Sequence, residues 1–122
     1  MNRAFPLVLL LLSWTFVSFA AASPQDKEPD LRTVHGSVVD KDENPIPTSI
    51  VYLLNKKTQA IRTYVANDEG QYRFSGLDPN VDYEIHAEKD TLISSTRTIS
   101  SFDSRRDMEV TLKLTHKKGE KQ

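Results

Sequence analysis

The chain has 122 residues, which suits one domain. Its 16 Lys and Arg residues nearly balance 17 Asp and Glu residues, and the net charge of −1 gives no electrostatic footprint for nucleic acid or for an anionic membrane surface. The sequence contains no cysteine, which excludes disulfides and thiol chemistry. The fold must therefore be held together by packing.

Residues 1–22 predict a secretory signal peptide. Arg3 supplies a positive charge, residues 5–20 are almost wholly apolar, and three alanines precede Ser23. A membrane anchor is the alternative, but the apolar stretch is shorter than the ~20 residues that a span requires. We expect cleavage before Ser23 and export to the periplasm or the medium, with no stable membrane anchor afterwards. Loss of Arg3 takes the net charge from −1 to −2.

Two polar segments flank the predicted domain. Residues 23–32 hold two prolines among polar side chains, which is typical of a flexible leader. Residues 116–122 are basic and lack apolar side chains, which predicts a disordered tail. Residues 33–115 remain as the domain, small but large enough for one core.

Within this domain, apolar and polar residues alternate with period two, which predicts half-buried strands. The β-rich runs, in chain order, are TVHGSVV (33–39), TSIVYLLN (48–55), IRTYVAN (61–67), QYRFSGL (71–77), VDYEIHAE (81–88) and DMEVTLKL (107–114). Residues 91–102 are rich in Ser and Thr, as expected of an edge strand or a long return loop. No segment has a sustained 3.6-residue apolar period, so the pattern indicates an all-β antiparallel sandwich.

The same alternation assigns side chains to faces of the strands. The inward residues should be Val51, Leu53, Tyr72, Phe74, Val81, Tyr83, Ile85, Ala87, Met108, Val110, Leu112 and Leu114. Tyr52 should then face outward. Residues 67–70, Asn-Asp-Glu-Gly, combine side chains that bond their own backbone with a glycine that accepts positive φ. They predict a turn that closes a hairpin between the strands on either side.

Two long stretches, HGSVVDKDENPIPTSIVYLL and TYVANDEGQYRFSGLDPNVDYEIHAE, resemble the carboxypeptidase regulatory-like domain. The residues that specify the fold in this resemblance are Gly36, Pro45, Asp68, Gly70, Leu77, Pro79 and Tyr83. The resemblance covers nearly all of the mature domain and implies a single antiparallel Greek-key β-sandwich of about seven strands, transthyretin-like. It implies little about activity, because function belongs to sites carried on a fold.

Metal sites are not indicated. Asp40, Asp42 and Asn44 open like an EF-hand loop, but that loop needs a glycine at its sixth position and a glutamate at its twelfth, where this chain has Pro45 and Val51. We expect at most a weak calcium ion between acidic turns. Intradiol dioxygenases, which share a similar sandwich, bind iron through two Tyr and two His, and this chain has no paired-His motif. The sequence predicts no metal and no cofactor.

Catalytic residues are not indicated either. The three histidines, His35, His86 and His116, are far apart in the sequence, and Ser37 follows Gly36 inside a strand without the second glycine of a nucleophile elbow. We therefore predict that the chain is not an enzyme and that it has no catalytic residues.

Two binding functions stay open. Secreted sandwiches stack sugars on exposed aromatic rings, and Tyr52 and Tyr64 are the candidates for such an oligosaccharide-binding face. Alternatively, a protein or peptide partner pairs with an exposed strand edge; the candidate contacts are Ser94, Ser95, Thr96, Arg97 and Thr98. We predict an exported, non-catalytic interaction module that binds a protein or peptide, with carbohydrate binding or a ligand-free spacer as alternatives.

Overall fold

A computed structural model describes residues 30–117, which contain strands and turns and no helix. No helix long and apolar enough to cross a membrane is found in this range. The predicted signal peptide, most of the leader and the end of the tail lie outside the described residues. The strands are β1 (Arg32–Val39), β2 (Ile50–Asn55), β3 (Ile61–Val65), β4 (Gln71–Leu77), β5 (Tyr83–Lys89), β6 (Leu92–Ser94), β7 (Arg97–Ile99), β8 (Asp107–Glu109) and β9 (Leu112–His116).

The strands form one hydrogen-bonded path that folds into two layers. Its order is β3-β2-β5-β6-β9-β1-β4, with β7 paired to β5 and β8 paired to β1. The small layer is β4-β1-β8, and the large layer runs from β3 to β9. The two terminal strands of this path, β3 and β4, contact each other through side chains. The Tyr64 and Phe74 rings meet edge-on, and Arg62 Nη1 donates to the Ser75 carbonyl at 3.0 Å.

The sheet is mixed, so the prediction of a purely antiparallel sandwich is wrong in this respect. β1 pairs in parallel with both β8 and β9, and its other partner, β4, is antiparallel. The reason is that the chain returns from the loop after β7 at the same end of the molecule at which β1 begins. There the Thr33 amide donates to the Arg106 carbonyl at 2.7 Å.

Residues 30–117 form nine strands, and two interruptions account for the excess over about seven. β8 and β9 keep one register against β1, with a break at Val110 and Thr111. β6 and β7 both pair with β5, but their registers differ by one residue, as a β-bulge produces. The bulge lies at residues 94–96.

The core lies between the two layers and is filled by the side chains that the alternation places inward. All twelve residues predicted to face inward are buried, and Val34, Val38, Leu77 and Ile99 join them. Tyr83 also supports the loop before its own strand, because its hydroxyl accepts the Asp78 amide at 2.9 Å. The face assignment from period two is therefore confirmed.

Residues 67–70 form a turn, but they do not close a hairpin as predicted. The Gly70 amide donates to the Asn67 carbonyl, and the Asn67 side chain accepts the amides of Glu69 and Gln71. The strands on either side do not pair with each other: β3 pairs with β2, and β4 pairs with β1. The turn carries the chain from the large layer to the small one, and local turn chemistry does not distinguish this crossing from a hairpin.

The first and last strands include the residues that flank 33–115, Arg32 and His116. Arg32, predicted in the leader, is the first residue of β1 and is buried; its guanidinium donates to the carbonyls of Ser100 and Arg105 at 2.8 and 3.0 Å. His116, predicted in the tail, is the last residue of β9. Arg32 thereby fixes the loop between β7 and β8 against the first strand.

Candidate functional site

The two tyrosines predicted to form an oligosaccharide-binding face lie on opposite faces of the large layer. Tyr52 faces outward, and its ring stacks on His86 with the centroids 4.9 Å apart. Tyr64 is the cross-strand partner of buried Val51, and its ring meets Phe74 between the layers. Cross-strand partners share a face and successive residues alternate. The structure therefore does not bring Tyr52 and Tyr64 together into one platform.

An apolar patch covers the outward face of β2 and β3, and we call it the outer patch. Its members are Ile50, Tyr52, Leu54, Ile61 and Val65. The ladder pairs Ile50 with Val65 and Leu54 with Ile61, which makes two apolar rows with Tyr52 between them. Ile61 and Val65 are 63% and 61% exposed. Contiguous exposed apolar side chains of this kind mark interaction surfaces, whereas scattered ones do not.

The outer patch borders a free strand edge. Within residues 30–117, β3 pairs with β2 and with no other strand. The Asn55 amide donates to the Ala60 carbonyl. Because alternate residues of an antiparallel strand direct their backbone groups to opposite sides, this bond determines which residues of β3 bond to β2. Arg62 and Tyr64 consequently direct their backbone groups to β2, whereas Ile61, Thr63 and Val65 direct theirs away from the sheet. No backbone hydrogen bond from the described residues reaches these outward groups.

Polar residues on β5 form the other border of the outer patch, and we call Glu84, His86 and Glu88 the acidic row. His86 Nε2 lies 3.2 Å from Glu88 Oε2, Lys56 Nζ lies 3.3 Å from Glu84 Oε1, and Lys117 Nζ lies 3.4 Å from Glu88 Oε1. Such half-exposed pairs contribute little to stability. Their effect here is to give an apolar centre a polar margin, which is the usual anatomy of a protein interface.

The segment predicted to contact a partner is not a free edge at its beginning. Ser94 ends β6, which lies between β5 and β9, and it is only 5% exposed. Its hydroxyl accepts a hydrogen bond from the Ala87 amide at 2.8 Å. The hydroxyl thus takes the place of the backbone carbonyl that would accept this amide if the bulge did not interrupt the ladder. The prediction that Ser94 contacts a partner is thus corrected: it completes the sheet. Ser95, Thr96, Arg97 and Thr98 are exposed.

The first acidic turn uses its carboxylate for the backbone. Asp40 Oδ1 accepts the amides of Asp42 and Asn44 at 2.8 and 2.9 Å, and these bonds hold the pKa of Asp40 below its ordinary value. Among residues 30–117, no group of three or more His, Asp or Glu side chains is arranged to hold a metal ion. The role of Asp40 in the structure is to shape the turn.

A polar cleft of about 460 Å³ lies beside the small layer and is lined in part by His35, Tyr72, Arg73 and Glu109. His35 Nε2 pairs with Asp107 at 3.0 Å, and both side chains are open to solvent. The Tyr72 side chain is buried in the core, and its hydroxyl donates to the Val110 carbonyl at 2.6 Å. Burial raises the pKa of Tyr72 far above its ordinary value of 10.0.

This raised pKa predicts alkaline destabilisation that depends on Tyr72. Above about pH 10 the unfolded chain loses the phenol proton while the folded chain keeps it, so the free energy of unfolding falls as pH rises. Tyr72→Phe should cost about 1–2 kcal/mol at pH 7, because the Val110 carbonyl loses its donor. It should also flatten the decline above pH 10, measured by urea unfolding followed by circular dichroism.

The matched control for this experiment is Tyr52→Phe, which removes a hydroxyl from the outward face of β2. We expect this variant to keep the alkaline decline of the wild-type chain. An equal decline in Tyr72→Phe and the wild type would contradict the assignment of the effect to the buried phenol.

Sequence reasoning identified Tyr52 as an outward residue but missed Ile61 and Val65. The run 61–65 places Ile61, Thr63 and Val65 on one side and Arg62 and Tyr64 on the other, so neither side is cleanly apolar. A strand without a core face belongs at an edge. The absence of an apolar side in residues 61–65 could therefore have located the outer patch. In the structure all five residues of β3 are exposed.

Solved structures share this fold at low sequence identity. Catechol 1,2-dioxygenase from Acinetobacter sp. ADP1 aligns with a TM-score of 0.54 and 14% identity, over 76% of this chain and 55% of that protein. 3-Chlorocatechol 1,2-dioxygenase from Rhodococcus opacus 1CP gives 0.56 and 8%, over 75% and 62%. The D312A variant of BcpA, the major pilin subunit of Bacillus cereus, gives 0.53 and 12%, over 68% and 29%. The chain thus spans less than two thirds of each of these proteins, and the likeness concerns the fold.

The fold defines an all-β module. No curated protein matches the chain in sequence. The sequence profile of the carboxypeptidase regulatory-like domain matches residues 33–115. The chain therefore belongs to the carboxypeptidase regulatory-like domain family, as the resemblance predicted.

Proposed function

We propose that the chain is an exported interaction module that binds a protein or peptide segment by adding a strand to β3. The observation that carries the proposal is the free edge of β3 beside the outer patch. Outward backbone groups on Ile61, Thr63 and Val65 supply hydrogen bonds to a partner strand, and exposed Ile61 and Val65 supply apolar contacts on one face. Main-chain bonds give affinity in strand addition, and alternate side chains give specificity.

The rest of β3 supports this role. Its five residues pair with β2 without a register shift, and it contains no Pro, Lys or Asp. Prolines, lysines and bulges are the devices that protect an edge from association. On the inner side, Arg62 and Tyr64 pack toward β4, which fixes the strand in position. The proposal includes a transthyretin-like Greek-key arrangement of the layers and export through residues 1–22.

Selection of displayed nine-residue peptides against the chain tests the proposal. We expect extended, alternating peptides to be selected and to shift and protect the outward amides of Ile61, Thr63 and Val65 in nitrogen-15 spectra. Thr63→Lys should weaken their binding at least tenfold, because it adds a charged side chain at the centre of the edge.

Thr98→Lys is the matched control, since it places the same charge on exposed β7 of the same layer. Peptide binding should be unchanged in this variant. Peptides that bind both variants equally well, or that protect amides elsewhere, would sink the assignment to β3.

A further inference from the structure

We infer that the partner strand which fits this edge is the β3 of a second copy of the chain, arranged antiparallel about a two-fold axis at Thr63. This inference rests on the proposed function, because it names the occupant of the same edge. It follows from the order of residues along β3 and from the direction of their backbone groups.

The backbone sets the register of such a pair. Only residues with outward groups can exchange hydrogen bonds across the new interface, and on β3 these are Ile61, Thr63 and Val65. An antiparallel pair centred on Thr63 places Thr63 opposite its own copy and Ile61 opposite the Val65 of the second copy. Every outward amide and carbonyl of the strand then has a partner. If the register shifted by one residue, these groups would lie opposite residues whose own backbone groups are bonded to β2.

The side chains match in this register. On the outer face, Ile61 meets Val65 of the second copy, so each apolar row continues across the axis from Leu54 to the other Ile50. Thr63 meets Thr63, which is a favourable cross-strand pair. On the inner face, Arg62 lies opposite Tyr64 of the second copy, so no two like charges are directly opposed. The two-fold pairing therefore makes the outer patch of each copy continuous with the other.

The charges also permit the pairing. Strands lie about 4.8 Å apart, so the acidic row on β5 lies about 12 Å from the axis, with β2 and β3 between. The two acidic rows are then about 24 Å apart, which exceeds the Debye length of about 8 Å at physiological ionic strength. Repulsion between the two acidic rows is therefore screened, and the residues at the axis itself are uncharged threonines.

Cysteine crosslinking of the full-length chain tests the register, because the sequence contains no cysteine. Thr63→Cys should form a disulfide-linked dimer under mild oxidation, since opposed residues lie about 5.5 Å apart. Ile61→Cys and Val65→Cys should each remain largely uncrosslinked alone and should crosslink when mixed. Thr98→Cys, on β7, is the matched control and should stay monomeric.

Sedimentation tests the association without crosslinking. The chain should sediment as a dimer, Thr63→Lys and Thr63→Glu should each sediment as monomers, and an equal mixture of the two should dimerise again because opposite charges meet at the axis. A monomeric wild-type chain, or a dimer that crosslinks through Thr98→Cys, would overturn the inference. These outcomes overturn the dimer but not the proposed function. The proposed function is contradicted only if the edge of β3 binds neither the displayed peptides nor a second copy.

Discussion

Gly36→Ala should cost most of the stability of the domain, at least about 4 kcal/mol. A Cβ atom at this position would lie 1.9 Å from the Val110 carbonyl oxygen, and Gly36 has little freedom to move away because it lies on the paired strand β1. Two hydrogen bonds hold Val110 in place: its amide donates to the His35 carbonyl, and its carbonyl oxygen accepts from the Tyr72 hydroxyl. We expect urea unfolding, followed by far-ultraviolet circular dichroism, to show a strongly lowered midpoint or an unfolded chain.

Gly76→Ala is the matched control for this prediction. Gly76 has a φ of 72°, but nothing lies within 4 Å of the added Cβ. Only the left-handed backbone then opposes the substitution, at about 1–2 kcal/mol. If Gly36→Ala proved no worse than Gly76→Ala, the close approach of β1 to Val110 would not be a determinant of the fold.

Gly36 also shows how far the sequence predicts this fold. The family pattern identifies it as a fold-specifying residue, and alternation correctly places side chains such as Phe74, Tyr83 and Leu112 in the core. Both signals are local, because a turn residue or a period of two depends only on neighbours in the chain. The contact that requires Gly36 is with Val110, 74 residues later. The pattern therefore marks the residue, and the structure supplies the reason.

Strand neighbours were the less predictable part. Alternation identifies the face on which a side chain lies, but it does not identify the strand that lies beside it. For this reason the sequence predicts a hairpin at residues 67–70 and a free edge at Ser94, whereas β5 and β9 enclose Ser94. The candidate site was affected in the same way. Tyr52 was placed correctly on the outward face, whereas the exposure of Ile61 and Val65 follows from the terminal position of β3 in the path.

Phe74→Ala should lower the free energy of unfolding by about 3–5 kcal/mol and should loosen β3 in particular. Phe74 is fully buried on β4, and it receives the Tyr64 ring edge-on at 6.0 Å and the Arg62 guanidinium at 5.5 Å. β3 and β4 are the two ends of the strand path, so these side-chain contacts join the layers on this side. Hydrogen exchange should therefore accelerate at the Arg62 and Tyr64 amides, which bond to β2, more than at amides of β9.

A double-mutant cycle separates this specific coupling from the general loss of packing. Combining Phe74→Ala with Tyr64→Ala should reveal an interaction of about 0.5–1.5 kcal/mol between the two rings. The same cycle with Tyr52→Ala, on the opposite face, should show none, since Tyr52 stacks on His86 instead. An absent Phe74–Tyr64 coupling would mean that the two rings do not help to hold β3 against β4. The edge proposed to bind a partner would then be positioned by the ladder with β2 and by the contacts of Arg62 with β4.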